Sequence, residues 1–219
     1  PELTTLEHAV TLEGPGEGFV FYEDLITNSS DDERFPEADD DDTSIIMFTA
    51  GTTGTPKGVM LSHNSFSSYI LANVEPVDME DSERNILTVP LHHIAGVQAV
   101  MAAIYGGRTL VLQRQFDVEG WMQLVQDEKV HRAMMVPTML KMLMDSEKFH
   151  DFDLSSLSVI TYGAAPMPLE VIKKAIVEFP NTRFINAFGQ TETASTITML
   201  PPEDHDIKED DPEFEKKLN

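Results

Sequence analysis

The sequence predicts an α/β fold in which helices cover both faces of a mostly parallel sheet. Six short apolar segments have the composition of strands that are buried on both faces, and helical spacing of apolar residues separates them. At 219 residues, of which 41% are hydrophobic, the chain can bury a substantial core. The predicted strands are residues 45–48, 85–89, 109–112, 133–136, 159–162 and 184–188.

Helix boundaries are predicted from capping residues. Serine and aspartate favour the N-cap, proline favours the first turn, and glycine favours the end of a helix. Ahead of the first sheet strand, residues 8–12 and 22–26 predict only a short strand and a short helix. The predicted starts lie at Ser62, Asp117, Pro137 and Pro168, and the pair Gly106 and Gly107 ends one helix.

Composition excludes several classes of protein. Without cysteine, the chain has neither disulfides nor thiolate metal sites. A net charge of −23 argues against binding to nucleic acid or to an anionic membrane. No signal peptide and no apolar run of membrane-spanning length are visible, so we expect a cytoplasmic protein. The first residue is proline instead of methionine, which suggests an excised piece of a longer protein.

Acidic residues are concentrated in two blocks, residues 31–42 and 203–215. Such blocks can bind a metal or a partner, but solvated linker is the interpretation that we favour. The predicted domain organisation is therefore an N-terminal strand and loop region with an acidic linker (1–42), an α/β core (43–200) and an acidic tail (201–219).

The stretch that follows the first predicted strand combines hydroxyls, glycines and one lysine. Glycine allows backbone N–H groups to approach an anion, threonine hydroxyls donate to phosphate oxygens, and lysine adds positive charge. This density of donors predicts a polyphosphate-binding loop, and an ordinary Gly/Thr-rich turn is the alternative. The candidate phosphate ligands are Thr49, Gly51, Thr52, Thr53, Gly54 and Lys57.

This loop differs from the P-loop of NTPases. The P-loop ends in Gly-Lys-Ser/Thr, where the hydroxyl beside the lysine binds magnesium. Here Pro56 precedes Lys57 and Gly58 follows it.

Three other segments follow predicted strands, at residues 90–93, 163–166 and 189–193. In an open α/β sheet, ligands bind beyond the carboxyl ends of the strands. We therefore expect these segments and the phosphate loop to meet at one edge of one sheet. The convergence favours a single site over four independent turns.

Taken alone, each segment has two interpretations. Glu192 beside a phosphate site indicates Mg²⁺, or else an acid at a helix start. Gly163 with Ala164 and Ala165 indicates a flat ligand against the backbone, or else a tight strand-to-helix turn. His92 and His93 are adjacent and should point apart, so a metal pair is not expected.

Three stretches resemble the motifs of the adenylate-forming enzymes, which include acyl-CoA synthetases, luciferases and peptide-synthetase adenylation domains. Residues 48–59 resemble the family's signature loop, with Ala50 where serine is usual. Residues 188–192 are similar to its aromatic-Gly-x-Thr-Glu motif, with Phe188 where tyrosine is usual. Pro90-Leu91-His92-His93 resembles a third segment, with His92 where an aromatic residue is common.

The resemblance implies roles for these residues. The loop would hold the β- and γ-phosphates of ATP, and small residues would line the adenine and acyl sites. Phe188, beside Gly189, would stack on adenine, and Thr191 would contact the α-phosphate. Glu192 would bind Mg²⁺, and His93 would lie near the acyl carboxylate. The resemblance thus implies Thr191, Glu192 and His93 as the catalytic residues.

The resemblance also implies the reaction. A carboxylic acid, fatty or aryl, would react with ATP to give an acyl-adenylate and pyrophosphate, and coenzyme A would then take the acyl group. An adenylation domain that loads a carrier protein and a nucleotide-binding fragment without turnover are the alternatives. The family's ribose-binding segment and catalytic lysine have no counterpart here, so we expect the isolated piece to be inactive.

Overall fold

The computed structural model describes residues 7–35, 37–50, 54–78 and 82–205. The chain divides into two compact units, Pro1–Ala38 and Asp39–Asn219. In the first unit, strands β1 (Val10–Thr11) and β2 (Val20–Phe21) pair in parallel, and helix α1 (Tyr22–Asn28) follows. Among the described residues, no helix is both long enough and apolar enough to cross a membrane.

The second unit begins with an antiparallel hairpin of β3 (Thr43–Thr49) and β4 (Lys57–Ser62). The sequence predicted residues 45–48 as a strand of the central sheet, and this was wrong, because the hairpin forms a sheet of its own. The physical reason is the short connection between the strands. A parallel crossover needs about a dozen or more residues, whereas β3 ends at Thr49 and β4 already begins at Lys57.

The central sheet has six strands in the order β10-β9-β8-β7-β5-β6. All neighbours are parallel except β9 and β10, so the predicted mostly parallel sheet is confirmed. The last strand was not predicted, because its alternation of threonine with apolar residues is not the pattern of a strand buried on both faces. The strands are β5 (Arg84–Leu87), β6 (Thr109–Leu112), β7 (Arg132–Met135), β8 (Val159–Gly163), β9 (Arg183–Gln190) and β10 (Ser195–Leu200).

In the part of the chain that the structure describes, five α-helices accompany these strands, and most of the predicted caps are confirmed. The Ser62 hydroxyl accepts from the Ser65 N–H at 3.2 Å, and the Asp117 carboxylate accepts from the Gly120 N–H at 2.7 Å. Pro137 is the first helical residue of its helix, but Pro168 lies just before its helix. The helices are α2 (His63–Asn73), α3 (Ile94–Tyr105), α4 (Val118–Glu128), α5 (Pro137–Met144) and α6 (Leu169–Glu178).

The main core lies between one face of the central sheet and helices α4, α5 and α6. It packs Trp121 of α4, Leu140 of α5 and Ile172 of α6 against Ile86 and Ile160 of the sheet, all of them buried. The prediction that helices cover both faces of the sheet is confirmed. On the face opposite the main core, helices α2 and α3 lie over the sheet and line a cavity with it.

A second, smaller cluster joins the hairpin to the central sheet. Leu61 of β4, Phe66 of α2 and Ala194, which precedes β10, are all buried in it. Partly buried residues of the hairpin and of α3 pack against these three: Ile45, Val59, Ile94, Val97 and Met101.

An ionic cluster lies at the amino edge of the sheet. Glu83 pairs with the Arg108 guanidinium, and Arg132 Nη1 lies 3.5 Å from Glu83 Oε1. The three side chains are only 23%, 12% and 30% exposed, respectively. Burial opposes ionisation of Glu83, but its hydrogen bond with Arg108 and the charge of Arg132 together hold its pKa below the ordinary value.

Replacing this carboxylate should destabilise the fold. We expect Glu83→Gln to lower the free energy of unfolding at neutral pH by about 1–3 kcal/mol, because two partly buried guanidiniums lose their counter-charge. Since folding depresses the pKa of Glu83, its contribution is present above the unfolded pKa and is lost as pH falls through the folded pKa. The difference between wild type and variant should therefore shrink in acid.

Urea unfolding from neutral pH down to acid pH measures this difference. Glu147→Gln, at an exposed position, is the matched control and should change stability little. A Glu83→Gln penalty that stays constant as pH falls would show that the carboxylate charge is not the stabilising group.

Candidate functional site

A cleft of about 520 Å³ opens at the carboxyl ends of β8 and β9. Its size lies within the range of small-molecule sites, about 300–1,000 Å³. It is lined by the turn after β8, by the end of β9 and by β10. The lining residues are Tyr162, Gly163, Ala164, Ala165, Pro166, Met167, Asn186, Ala187, Phe188, Gly189, Thr198, Met199 and Leu200.

Gly163 is required by the close approach of β8 and β9. A Cβ atom at Gly163 would lie 2.1 Å from the Ala187 carbonyl oxygen, which is closer than real contacts allow. The next residue, Ala164, has a φ of +63°, the left-handed conformation that non-glycine residues rarely adopt. The tight strand-to-helix turn is therefore present and lines the cleft, whereas the binding of a flat ligand against it stays a prediction.

Phe188 also lines this cleft and is 55% exposed. An exposed ring beside Gly189 can stack on a flat ligand, since no side chain at the glycine stands in the way. The sequence predicted that Gly163, Ala164 and Ala165 belong to the same site as Phe188. The structure places all four on one cleft.

Sequence reasoning missed several residues of this cleft. Asn186 is a polar residue within the apolar run of β9, which was a usable signal, whereas Thr198 and Met199 belong to the unpredicted β10. Tyr162 also lines the cleft, and its hydroxyl lies 2.9 Å from His205 Nε2. Burial raises the pKa of Tyr162, against a smaller opposing effect of its hydrogen bond with Asn186.

The predicted phosphate loop is the connection of the β3–β4 hairpin. Thr49 and Lys57 are cross-strand partners at its base, so they flank the loop on either side. Thr49 is half-buried and Lys57 is exposed. Gly54 has a φ of +81°, which explains why a glycine occupies this position. Gly51, Thr52 and Thr53 lie outside the described residues.

Thr191 and Glu192 lie in a turn of 3₁₀ helix, Thr191–Thr193, that follows β9. The Gln190 N–H donates to the Thr193 hydroxyl at 3.1 Å, which fixes the start of this turn. Thr191 is half-buried and Glu192 is exposed. The turn ends at Ala194, whose φ is +57°.

His93 is the N-cap residue of α3, and its N–H donates to the Pro90 carbonyl at 3.0 Å. Gly96 packs tightly on this turn, since a Cβ there would lie 2.4 Å from Pro90 O. The expectation that His92 and His93 point apart was wrong: their ring centroids are 4.7 Å apart, because the chain turns at this point. Both histidines are exposed.

The predicted edge is thus built from two sheets. Three of the four segments follow strands of the central sheet, after β5, β8 and β9, whereas the phosphate loop belongs to the hairpin. Strand β4 contacts the turn Thr191–Thr193, and the second cluster joins the hairpin, that turn and α3. Gly163–Ala165 and Phe188 share the cleft, while Lys57, His93 and Glu192 lie on the elements joined by the cluster.

Among the described residues, no group of three or more histidine and acidic side chains could hold a metal by itself. Glu192 offers a single exposed carboxylate. This fits Mg²⁺ at a nucleotide site, because Mg²⁺ commonly binds through one or two carboxylates together with substrate phosphates.

Comparison with known proteins identifies the family. The family model described as "AMP-binding enzyme" matches residues 4–213. The chain belongs to this family. The match confirms the family membership that the motifs suggested. The relatives of this chain include ligases of fatty and aryl acids.

The 4-coumarate-CoA ligase 1 of Narcissus pseudonarcissus is 33% identical over 178 residues, which are 78% of this chain and 32% of that protein. The inhibitor-bound N-terminal domain of FACL13 from Mycobacterium tuberculosis aligns with a TM-score of 0.74 and 29% identity, covering 85% of this chain and 47% of that chain. O-succinylbenzoate coenzyme A synthetase from Bacillus subtilis, in complex with ATP and magnesium ion, aligns with a TM-score of 0.70 and 27% identity, covering 84% and 38%.

The chain spans between 32% and 38% of the length of the first relatives that it matches. The activity and the substrates of a whole AMP-binding enzyme are therefore only proposed for this chain.

The contact between β8 and β9 yields a stability test. Gly163→Ala should destabilise the protein by about 1–3 kcal/mol, because the added methyl group overlaps the Ala187 carbonyl and forces the strands apart. The neighbouring change Ala164→Gly is the control. In Ala164→Gly, relief of the left-handed conformation gains about 1–2 kcal/mol. The greater chain entropy that glycine loses on folding costs about 0.5–1 kcal/mol, which largely offsets this gain. Urea unfolding of both variants measures the two values, and equal effects would contradict this account of the turn.

Proposed function

We propose that this chain is the AMP-binding part of an ATP-dependent acid–CoA ligase. Such an enzyme activates a carboxylic acid as an acyl-adenylate, releases pyrophosphate and transfers the acyl group to coenzyme A. One observation carries the proposal: an exposed aromatic ring and a backbone-lined turn face one cleft in a chain of the AMP-binding family. CoA ligases among its relatives supply the acceptor.

The adenine ring would lie in the cleft between Phe188 and the turn Gly163-Ala164-Ala165. Phe188 provides a stacking face, and the small residues of the turn leave space against the backbone. Gly189 would let the ligand approach β9 closely. The Asn186 side chain, on the same cleft, is a further polar group that can contact the base.

The β- and γ-phosphates would bind at the hairpin loop. Lys57 is exposed at the base of the loop, opposite Thr49, and can place its ammonium group on a phosphate. The remaining donors proposed from the sequence are Gly51, Thr52, Thr53 and Gly54.

Thr191 and Glu192 would act at the α-phosphate. The Thr191 hydroxyl can donate to a phosphate oxygen, and Glu192 would hold Mg²⁺ together with the phosphates. When bound, Mg²⁺ would neutralise charge on the phosphate oxygens.

The proposed reaction would use these residues as follows. A carboxylate oxygen of the acid attacks the α-phosphorus of ATP, and the bond to the pyrophosphate oxygen breaks. The protein contributes by positioning the reactants and by stabilising negative charge that develops on the α-phosphate. His93, exposed at the start of α3, is proposed to orient the acid carboxylate. The thiol of coenzyme A then attacks the acyl carbon, loses its proton, and AMP leaves.

The chain is proposed to form part of the large domain of a longer ligase, with ribose-binding and lysine-bearing segments supplied downstream. Both fatty and aryl acids are proposed as substrate classes of this ligase. The cytoplasmic location expected from the sequence stays a prediction.

Lys57 provides the test of the phosphate site. In the full-length ligase, Lys57→Ala should lower kcat/KM for ATP by at least about tenfold, since a charge-assisted hydrogen bond contributes about 1.5–3 kcal/mol. The KM of the acid should change much less. The assay is acid-dependent exchange of labelled pyrophosphate into ATP, followed by mass-spectrometric detection of the CoA thioester.

Lys148→Ala removes an exposed lysine that pairs with Glu119 of α4, and it serves as the matched control. Unchanged ATP kinetics in Lys57→Ala would overturn the phosphate assignment. If a wide panel of carboxylic acids supported neither exchange nor thioester formation in the wild type, the proposed function itself would be wrong.

A further inference from the structure

Tyr162 and His205 form a buried pair beside the cleft described above. Tyr162 belongs to β8 and is 1% exposed, whereas His205 ends a turn of 3₁₀ helix, Pro202–His205, and is 3% exposed. The Tyr162 hydroxyl lies 2.9 Å from His205 Nε2, and the two rings meet edge to face. Burying polar groups is unfavourable unless their hydrogen bonds are satisfied, so the Tyr162 hydroxyl requires an acceptor for its proton.

The contacts of His205 set the direction of its hydrogen bond with Tyr162. Nδ1 of His205 lies 2.9 Å from the Pro201 carbonyl oxygen, which can only accept, so Nδ1 carries the proton of the neutral ring. In that tautomer Nε2 is an acceptor. The Tyr162 hydroxyl therefore donates to Nε2, and the lone pairs of its oxygen are available to accept.

Asn186 continues this chain of hydrogen bonds on the neighbouring strand. Tyr162 and Asn186 are register partners of the parallel strands β8 and β9, so their side chains lie side by side on one face of the sheet. The hydrogen bond with Asn186 lowers the pKa of Tyr162, which is the effect of a donor to the hydroxyl oxygen. This donor is the amide nitrogen Nδ2, because the amide oxygen can only accept.

This orientation leaves the amide oxygen Oδ1 of Asn186 to the cleft. Asn186 is half-buried and lines the cleft together with Phe188. Oδ1 is not one of the buried polar atoms without a partner, and no group of the described residues donates to it, so a ligand can reach it. The cleft thus presents an acceptor that is held in place from behind.

Purines differ at the position that would meet this acceptor. Adenine carries an amino group at position 6, which donates, whereas guanine carries an oxygen there, which only accepts. Since Phe188 lies two residues beyond Asn186 on the same face of β9, a purine stacked on its ring can turn its edge to the amide. A 6-amino group then pairs with Oδ1, whereas a 6-oxo group would place two acceptors face to face.

We infer that Tyr162 and His205 are positioning residues that make the nucleotide cleft select a 6-amino purine over a 6-oxo purine. They act through Asn186, because His205 orients the Tyr162 hydroxyl and Tyr162 holds the amide with Oδ1 toward the cleft. An amide without this support could turn Nδ2 to the ligand and accept a 6-oxo purine. The inference rests on the proposed function, since it concerns the nucleotide that the same ligase uses.

The test compares ATP with ITP, whose hypoxanthine base carries an oxygen in place of the 6-amino group. Acid-dependent pyrophosphate release by the full-length ligase is measured with each nucleotide. We expect the wild type to have at least about a tenfold higher kcat/KM for ATP than for ITP. The reason is that a site built to hydrogen-bond a group rejects the analogue that lacks it.

Tyr162→Phe removes the hydroxyl and keeps the ring in the core. The amide of Asn186 can then turn, so the ATP-to-ITP ratio of kcat/KM should fall by at least about threefold, the effect of one lost hydrogen bond. His205→Leu should lower the ratio in the same way. His205→Gln keeps an acceptor for the Tyr162 hydroxyl and should retain most of the preference.

Tyr105→Phe removes an exposed hydroxyl at the end of α3, and it is the matched control that should keep the wild-type ratio. Should a His205 variant fail to fold, Tyr162→Phe still decides, because it removes a single oxygen atom and adds nothing.

Three results overturn the inference in distinguishable ways. If the wild type releases pyrophosphate equally well with ATP and ITP, the cleft does not select the 6-amino group and the proposed function stands. If Tyr162→Phe lowers kcat/KM for both nucleotides by the same factor, the pair is only structural. If no carboxylic acid supports pyrophosphate release with either nucleotide, the proposed function fails and this inference fails with it.

Discussion

The burial of Ala194 against Leu61 and Phe66 is the interaction on which the site depends, because it joins two separate sheets. Ala194 adopts a left-handed conformation, which costs about 1–2 kcal/mol for a residue with a side chain. Packing in the cluster offsets this cost. A larger side chain would have no room, since Ala194 is almost fully buried. The hairpin that presents Lys57 is thereby held beside the turn that presents Glu192.

A second constraint acts within the central sheet. Gly163 allows β8 to approach the Ala187 carbonyl, and the chain then turns through Ala164 in a conformation that glycine would adopt more easily. Ala187 also lines the cleft at the carboxyl ends of these strands. The same backbone contact therefore shapes the cleft proposed for the nucleotide.

The parallel strands were predictable because continuous apolar runs report burial on both faces, and the caps at Ser62 and Asp117 were predictable because their side chains act locally. The hairpin partner β4 was not, since its pairing depends on the length of a connection. The pairing of Asn85 with Arg132 was not predictable either, because these residues are far apart in sequence and meet only through strand register. The roles of Lys57, His93 and Glu192 stay predictions.

The central claim is that one nucleotide site is formed by the turn at Gly163, the end of β9 and the hairpin. Photolabelling of the full-length ligase with 8-azido-ATP, followed by peptide mass spectrometry, tests it most directly. The account predicts labelled peptides that contain Ala164 and Ala165 or Phe188, and loss of the label when excess ATP competes. Labelling that ATP prevents, but that maps only to peptides outside this cleft, would contradict the account.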